Sequence, residues 1–330
     1  MRSSIALPGD PRGLIRWQQL VRWFQNYGIV VAFIVLFTYF AITTEAFLTE
    51  RNLTNLIEQN ATLIIVAAGM TVVIIAGEFD LSVGAVMGFA AVVGASVTNQ
   101  AGPALGILAA VASGVGLGLI NGLLVTRLNV QSFLVTLATQ FAFVGAGLYL
   151  TDATGSYAVK DFTALSPLAE TEILGLRSKV WVTAVIVMLI FALLRRGPLG
   201  RSVFAVGGSR AAARVAGLGV GTVRIAVFVL SGALAGLAGA LALSETGVAQ
   251  PTGNVGIEFT AITAVIVGGT SVAGGRGGIG RTLIGVLLLA VIANGFTIAY
   301  ISPTYDRLVQ GAIILVAVML DAWLKRRAAR

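Results

Sequence analysis

Ten apolar runs, most of them close to twenty residues long, recur along this chain and constrain its fold more than any other feature. A helix needs about twenty apolar residues to cross the roughly 30 Å hydrocarbon core of a bilayer. Only 11% of the residues are charged, whereas soluble domains carry about 25%. The pattern predicts an all-α polytopic membrane protein with about ten transmembrane helices. The predicted spans are Tyr27–Phe47, Leu56–Ala76, Leu81–Val97, Pro103–Thr126, Val130–Thr151, Val180–Leu194, Ile225–Leu243, Phe259–Val272, Leu283–Ala299 and Leu308–Leu324.

The distribution of charge predicts which side of the membrane each connection faces. With the N-terminus inside, the cytoplasmic segments hold 17 of the 22 basic residues but only 4 of the 14 acidic ones. Short connections rich in Arg and Lys stay in the cytoplasm. We therefore expect a multi-pass protein of the bacterial plasma (inner) membrane with both termini cytoplasmic. Its parts would be a cytoplasmic N-terminal segment (1–26), one transmembrane domain (27–324) and a basic cytoplasmic tail (325–330).

The composition excludes several kinds of chemistry. The chain has no His and no Cys, which removes disulfides, thiol catalysis and His-based metal sites. Its basic clusters lie next to apolar spans, where membrane topology explains them better than nucleic-acid binding does. The glycine-rich segment Ala273–Gly280 lacks the Gly-Lys-Ser/Thr ending of a phosphate-binding loop. We therefore expect no enzyme activity, no catalytic or metal site, and no cofactor bound by this chain.

The largest predicted cytoplasmic connection is Arg195–Arg224, which holds six arginines and no acidic residue. Ser209 can cap a short, alanine-rich helix over Arg210–Ala216, because a serine hydroxyl accepts a hydrogen bond from a free N–H of the first turn. Arg210 and Arg214 are one turn apart and could reach acidic groups of a partner. The alternative is a solvated basic loop that only fixes the topology.

A weak internal repeat relates the two halves of the chain. Glu78-Phe79 matches Glu258-Phe259, and Asn121-Gly122 matches Asn294-Gly295. Spans 2–5 would then correspond to spans 7–10 in the opposite membrane orientation. Inverted repeats of this kind are common in transporters, where the substrate path lies between the repeats. A chance match in a chain rich in Gly, Ala and Val is the alternative.

Four long motifs resemble one family, the permease subunits of sugar ABC importers of the ribose, xylose and galactose type. They are GEFDLSVGAVMGFAAVVGA, QSFLVTLATQFAFVGAGLYLT, GRSVFAVGGSRAAARVAGLGV and AITAVIVGGTSVAGGRGGIGRTLIGVLLLAVIANG. The resemblance implies a fold similar to that of the cobalamin importers, with two permease subunits around one path. It also implies an extracytoplasmic sugar-binding protein, ABC ATPase subunits that carry ATP and Mg, and a sugar or polyol substrate.

The resemblance also assigns a role to the Arg-rich connection, residues 195–224. In the family the corresponding segment forms the coupling helix that docks on the ATPase subunit. The residues carried over to this role are Gly200, Arg201, Gly207, Gly208, Ser209, Arg210, Ala212, Arg214 and Gly217. Whether the second permease subunit is an identical copy or a paralogue stays open.

Polar residues inside the spans are candidates for the translocation path, because hydroxyl and amide groups can bind a neutral polyol without a trapping charge. Intramembrane carboxylates are costly and are functional candidates by default. The alternatives are that Asp80 or Ser82 caps span 3, that Glu78 lies at the water interface, and that Glu258 is a cap near the outer surface. The candidate path residues are Asn60, Thr71, Glu78, Asp80, Asn121, Thr139, Gln140, Phe141, Thr263 and Asn294.

Other kinds of protein remain as alternatives. Within the ABC importers, the substrate could be a nucleoside or a branched-chain amino acid. A secondary transporter driven by an ion gradient would need charged residues near the middle of the bilayer, and no predicted span has an ionisable residue near its centre. An intramembrane enzyme would need a pair of inward-facing carboxylates, for which Glu78 and Asp80 are the nearest candidates.

Overall fold

The computed structural model describes residues 11–302 (backbone alone for 11–26) and positions 304, 305, 308, 309, 311, 312, 315 and 319. Every long element in this part is an α-helix. The helices are α1 (Pro11–Thr43), α2 (Glu50–Ile75), α3 (Val83–Ala101), α4 (Pro103–Arg127), α5 (Ser132–Leu150), α6 (Phe162–Leu165), α7 (Pro167–Glu170), α8 (Ser178–Arg196), α9 (Pro198–Gly208), α10 (Arg210–Val215), α11 (Val220–Thr246), α12 (Ile257–Val267) and α13 (Ile279–Ile298). Four two-residue strands are β1 (Tyr157–Ala158), β2 (Glu172–Ile173), β3 (Leu176–Arg177) and β4 (Val248–Ala249).

Seven of the described helices are long and apolar enough to cross a membrane, namely α2, α3, α4, α5, α8, α11 and α13. Two shorter apolar helices are Tyr27–Thr43, within α1, and α12. The prediction of a polytopic helical membrane protein is therefore confirmed for this part of the chain. The predicted tail at 325–330 lies outside the described residues, as does most of the tenth predicted span.

Glycines allow the central helices to pack backbone to backbone. A Cβ atom on Gly114 or Gly118 of α4 would collide with the α11 backbone at Gly232 and Phe228 respectively. A Cβ on Gly236 would meet the carbonyl oxygen of Ala110. Such close approach is the usual role of small residues three and four apart in membrane helices. These glycines therefore allow close packing between α4 and α11 of the same chain.

The helices of the two halves are interleaved. α2 packs against α12 and α13, α11 packs against α3 and α4, and α2 and α11 pack against each other. Thus α2, from the first half of the chain, packs among helices of the second half, and α11, from the second half, packs among helices of the first. The core of the bundle is formed largely by these contacts, because α2 and α11 carry the largest sets of buried residues among the described helices.

The bundle has two distinct ends. We call the end that carries α9 and α10 the Arg-rich end, and the other the opposite end. At the opposite end β1 pairs with β4, β2 pairs with β3, and a salt bridge of 2.7 Å joins Lys179 to Glu245. The Ser244 hydroxyl accepts from the backbone N–H of Ala169 and donates to the carbonyl of Leu165. The connection after α5 is thus attached to the end of α11.

Three non-helical segments, 76–82, 247–256 and 268–278, interrupt the helical bundle. The second fits against α3, where a Cβ on Gly84 would meet Asn254 and one on Gly88 would meet Pro251. Irregular backbone at membrane depth is tolerated where protein surrounds it. α12 therefore begins inside the bundle. Glu258 lies in its first turn and accepts from the N–H of Gly256, so it caps the start of α12 as one alternative has it, but from a fully buried position.

Candidate functional site

The segment between α2 and α3 forms the floor of the candidate site. Its backbone is not helical, so its N–H groups need other partners. The N–H of Phe79 donates to the Ser132 hydroxyl (2.9 Å), and that of Leu81 donates to the Thr136 hydroxyl (3.0 Å). Both hydroxyls lie on the first turns of α5. Because they satisfy groups that lipid cannot satisfy, they fix the segment against α5.

Glu78 is buried in this segment and is held by two arginines. Its Oε1 atom accepts hydrogen bonds from Nη2 of Arg210, on α10 (2.7 Å), and from Nε of Arg224, on α11. The same Nη2 donates to the carbonyl of Gly77 (3.0 Å). Arg224 is itself buried. The Glu78 side chain is therefore enclosed by protein and joins α11 through a buried ion pair with Arg224 and α10 through a pair with the partly exposed Arg210.

Asp80 begins a chain of hydrogen bonds that crosses three helices. Its Oδ1 accepts from the backbone N–H and hydroxyl of Ser82, and its Oδ2 accepts from the Ser231 hydroxyl of α11 at 2.9 Å. Ser82 in turn accepts from the amide of Asn121 on α4, whose oxygen accepts from Thr139 on α5, both at 2.7 Å. Ser82 precedes α3 but makes no side-chain cap hydrogen bond. Ser82 therefore occupies the N-cap position of α3, but its hydroxyl joins this network instead of capping the helix.

Glu258 lies in a second buried polar position nearby. Its Oε1 accepts from the Gln140 amide of α5 at 2.9 Å, and its Oε2 accepts from the backbone N–H of Gly256 at 3.0 Å. In the described part of the chain neither Glu258 nor Asp80 has a salt-bridge partner within 4 Å. The hydrogen-bond donors to these two carboxyl groups are all neutral, unlike those to Glu78.

A cavity of about 530 Å³ opens beside this segment. Glu78, Ser132 and Arg210 contribute its polar wall, while Phe259 and Ile262 of α12 contribute part of its apolar wall. The cavity could hold a small polar molecule with an apolar face. The described residues contain no group of three His, Cys, Asp or Glu side chains that could hold a metal ion.

Five predicted path residues, namely Glu78, Asp80, Asn121, Thr139 and Gln140, come together around this segment. The other five do not join them. Asn60 donates to its own helix, Thr71 pairs with Thr282 at 2.7 Å, Thr263 bonds the carbonyl of Phe259, and Asn294 exchanges amide hydrogen bonds with Asn52. Phe141 is 72% exposed on the outer face of α5.

The short helix α10 has the predicted start and end. The Ser209 hydroxyl accepts from the N–H of Ala212, and Gly217, with φ of +81°, follows the helix in the left-handed conformation. Arg214 is exposed and Val215 is 91% exposed. α10 thus presents a small, basic and partly apolar surface at the Arg-rich end. The predicted coupling residues that are exposed are Arg201, Gly208, Ser209, Arg210, Ala212, Arg214 and Gly217.

Two of the predicted coupling residues pack inside the chain instead. A Cβ on Gly200 would meet the carbonyl of Leu193 and the backbone of Leu194. A Cβ on Gly207 would overlap the carbonyl oxygen of Ile75. That oxygen also accepts from the N–H of Gly275 at 2.8 Å. The glycine-rich segment before α13 therefore supports the end of α2.

Arg210 has an acidic partner within its own chain. Its guanidinium binds Glu78 and Gly77, while the side chain stays partly exposed. Arg214 is exposed and makes no salt bridge with any described residue. The two arginines, one turn apart in sequence, thus have different surroundings, and their expected contact with acidic groups of a partner stays a prediction.

Arg224 is the main residue that sequence reasoning missed. The predicted span began at Ile225, which left Arg224 at the edge of the cytoplasmic connection, whereas α11 begins at Val220. An arginine buried in the first turns of an apolar helix usually pairs with an acidic group. Glu78 was an available intramembrane acidic residue, so this pairing could have been considered from the sequence. Ser132 was missed as well, because nothing local indicates that its hydroxyl binds the backbone of another segment.

Comparisons with known proteins agree on one family. Residues 52–318 match the family described as branched-chain amino acid transport system / permease component. The ribose import permease protein RbsC of Escherichia coli (strain K12) is 34% identical over 304 residues, which cover 91% of this chain and 94% of that protein. RbsC of Bacillus subtilis (strain 168) is 36% identical over 90% of this chain and 92% of its own length. The L-arabinose ABC transporter permease protein AraH of Azospirillum brasilense is 34% identical over 97% and 93%.

No solved structure matches the chain. The family model covers well over half of the residues, and the relatives are aligned over nearly their whole lengths. The relatives are named as ribose import permeases and an L-arabinose ABC transporter permease, in agreement with the resemblance of the four motifs. The chain is a multi-pass membrane protein that belongs to the permease family described as branched-chain amino acid transport system / permease component.

Proposed function

We propose that this chain is the permease subunit of an ATP-driven importer for a monosaccharide or a related polyol. The relatives that carry ribose and L-arabinose in their names support this substrate class. The buried polar groups around the 77–82 segment are mostly hydroxyls and amides, which suits a neutral substrate. An importer of a nucleoside or a branched-chain amino acid is the second candidate, and the description of the family supports the amino acid.

The observation that carries the proposal is the surface of α10. It is capped by Ser209, exposes Arg214 and Val215, and rests on a backbone contact between Gly207 and Ile75 that leaves no room for a side chain. A short exposed helix on a rigid base is suited to receive force from a partner. The proposed partner is an ABC ATPase subunit, which would bind ATP and Mg.

The remaining parts of the proposal follow the family. Two permease subunits, identical or paralogous, would enclose the substrate path in a ten-helix, cobalamin-importer-like fold with both termini cytoplasmic. The interleaved packing of α2 and α11 supports an internal inverted repeat. A binding protein would deliver the sugar at the opposite end. The exposed ring of Phe141 would then lie between two copies or against lipid.

Affinity purification of the permease from membranes of its native host tests this proposal. We expect an ABC ATPase subunit and an extracytoplasmic binding protein to copurify. Arg214→Glu should weaken the ATPase complex at least tenfold, about 1.4 kcal/mol, because it places a negative charge on the basic surface of α10. Arg51→Glu, an exposed arginine at the opposite end, is the matched control and should leave the ATPase bound.

Uptake into membrane vesicles separates the importer from a secondary transporter. Sugar uptake should require ATP and persist when ionophores collapse the ion gradients. Uptake that follows an ion gradient without any ATPase subunit would contradict the proposal. Uptake of a nucleoside or a branched-chain amino acid in preference to monosaccharides would favour the second candidate.

A further inference from the structure

One carboxylate connects α10 to the interior of the bundle. Arg210 is the first residue of α10, and its Nη2 atom lies 2.7 Å from Oε1 of Glu78 and 3.0 Å from the carbonyl of Gly77. Among the described residues, Arg210 is the residue of α10 that forms a salt bridge with the transmembrane body. The charged contact between α10 and the bundle therefore passes through Glu78.

The same carboxylate is also attached to α11. Arg224 binds Oε1 of Glu78 through its Nε atom, and both side chains are at least nine-tenths buried. A buried ion pair is lost only at considerable cost, because separation leaves an uncompensated charge out of water. Glu78 therefore forms a stiff junction between α10, α11 and the non-helical segment that contains it.

Beyond Glu78 the segment is bound to the helices around it. Phe79 and Leu81 donate through their backbone to hydroxyls of α5, and Asp80 binds Ser231 of α11. Gly77 and Glu78 still donate to carbonyls in the last turn of α2, whereas Phe79 and Leu81 are held by the hydroxyls of α5. Glu78, Phe79 and Leu81 also line the 530 Å³ cavity. A displacement of Glu78 would thus change the wall of the cavity.

We propose that Glu78 is a positioning residue that transmits movement of α10 into the 77–82 segment and so reshapes the adjoining cavity. This inference rests on the proposed function, since it needs an ATPase that moves α10. The ATPase would dock on the exposed Arg214 side of the helix. Arg210 would carry the displacement inward, and Arg224 would keep the Glu78 carboxylate in reach of it.

The chain contains no Cys, so a single introduced thiol reports on the cavity without any background labelling. Ile262 of α12 lines the cavity and is half-buried, which makes Ile262→Cys a suitable probe. The purified permease–ATPase complex in lipid nanodiscs would be treated with a small maleimide, with and without a non-hydrolysable ATP analogue and Mg. This measurement does not depend on knowing the transported sugar.

With Glu78 intact, we expect the nucleotide to change the labelling rate about fivefold or more, the usual scale of coupling between sites. In the Glu78→Gln background the change should fall below about twofold, while the ATPase stays bound. Because Glu78→Gln leaves Arg224 buried without its counter-charge, Glu78→Gln with Arg224→Gln is a second variant that removes both charges. It should also fail to respond. Adding Arg210→Gln to Glu78→Gln should cause no further loss, because both act through one contact.

The controls separate this inference from the proposed function. Glu258→Gln, which removes a buried carboxylate without a cation partner, should retain the nucleotide response. If the unaltered complex responds and Glu78→Gln responds equally, the transmitting role is wrong while the importer proposal stands. If nucleotide does not change the labelling rate of the unaltered complex with its ATPase bound, the transmitting role of Glu78 is also wrong. If no ATPase binds to the permease at all, the importer proposal itself fails.

Discussion

Glu78 and Glu258 are both buried carboxylates next to non-helical segments, yet they are held in opposite ways. Glu78 accepts from two guanidinium groups that belong to different helices, Arg210 and Arg224. Glu258 accepts from the Gln140 amide and from a backbone N–H. The first arrangement joins separate elements through charge, whereas the second satisfies a polar group inside a packed region. The Glu-Phe pairs that match in the sequence thus make different contacts at the two positions.

The largest effect is expected from Glu78→Gln. It leaves Arg224 buried and unpaired, which costs about 3–5 kcal/mol in comparable buried ion pairs. Chemical unfolding of the permease in detergent would measure the loss. The double variant Glu78→Gln with Arg224→Gln should regain part of it. If Glu78→Gln lost no more unfolding free energy than Glu258→Gln, the two carboxylates would not differ in their contribution to stability, contrary to this prediction.

Gly207→Ala should have the next largest effect, about 1–3 kcal/mol, because the added methyl group has no space beside the carbonyl of Ile75. Gly208→Ala is the matched control, since a Cβ there meets nothing within 4 Å. Unfolding midpoints of the two variants in the same detergent would make the comparison. Equal stabilities would show that the base of α10 is not tightly packed.

Glu258→Gln should cost only about 1 kcal/mol, because the glutamine oxygen can still accept from Gln140 and only neutral donors surround the side chain. The same unfolding measurement applies. A loss comparable with that of Glu78→Gln would indicate that Glu258 has a charged partner after all. Gly84→Ala tests the packing around Glu258, because the added Cβ would meet Glu258 and Asn254.

The smallest change in stability is expected for Arg214→Glu, within about 0.5 kcal/mol, because the side chain is exposed and has no ion pair with a described residue. Its effect should appear in ATPase binding instead. Arg210→Gln should instead lower the stability measurably, because it breaks the contact with Glu78, and should affect ATPase binding less than Arg214→Glu does. If the two variants changed stability and ATPase binding in the same way, the proposed difference in role between the two arginines would be wrong.

The helical class and the ends of α10 could be predicted because they depend on local properties. Apolar length specifies a membrane helix, and Ser209 and Gly217 carry their capping behaviour wherever they occur. The Arg-rich connection was likewise visible from composition alone. α9 was not predicted, because Pro198 and the glycines of this segment favour a loop after the end of the preceding helix.

The geometry of the site could be predicted only in part, because it depends on contacts between distant segments. Asp80, Asn121 and Thr139 were identified as polar residues in apolar spans, but their common network needed the helix arrangement. The pairing of Arg210 and Arg224 with Glu78 joins residues more than 130 positions apart. Phe141 was selected for its chemistry, and sequence alone did not indicate that it faces out of the bundle.

A pair of double-mutant cycles tests the contrast between the two carboxylates most directly. One cycle combines Glu78→Gln with Arg224→Gln, and the other combines Glu258→Gln with Gln140→Leu, with unfolding free energies measured for every variant. We predict a coupling of about 2–3 kcal/mol for Glu78 with Arg224. For Glu258 with Gln140 we predict a coupling of about 1 kcal/mol or less. Equal couplings, or a larger one at Glu258, would contradict the account.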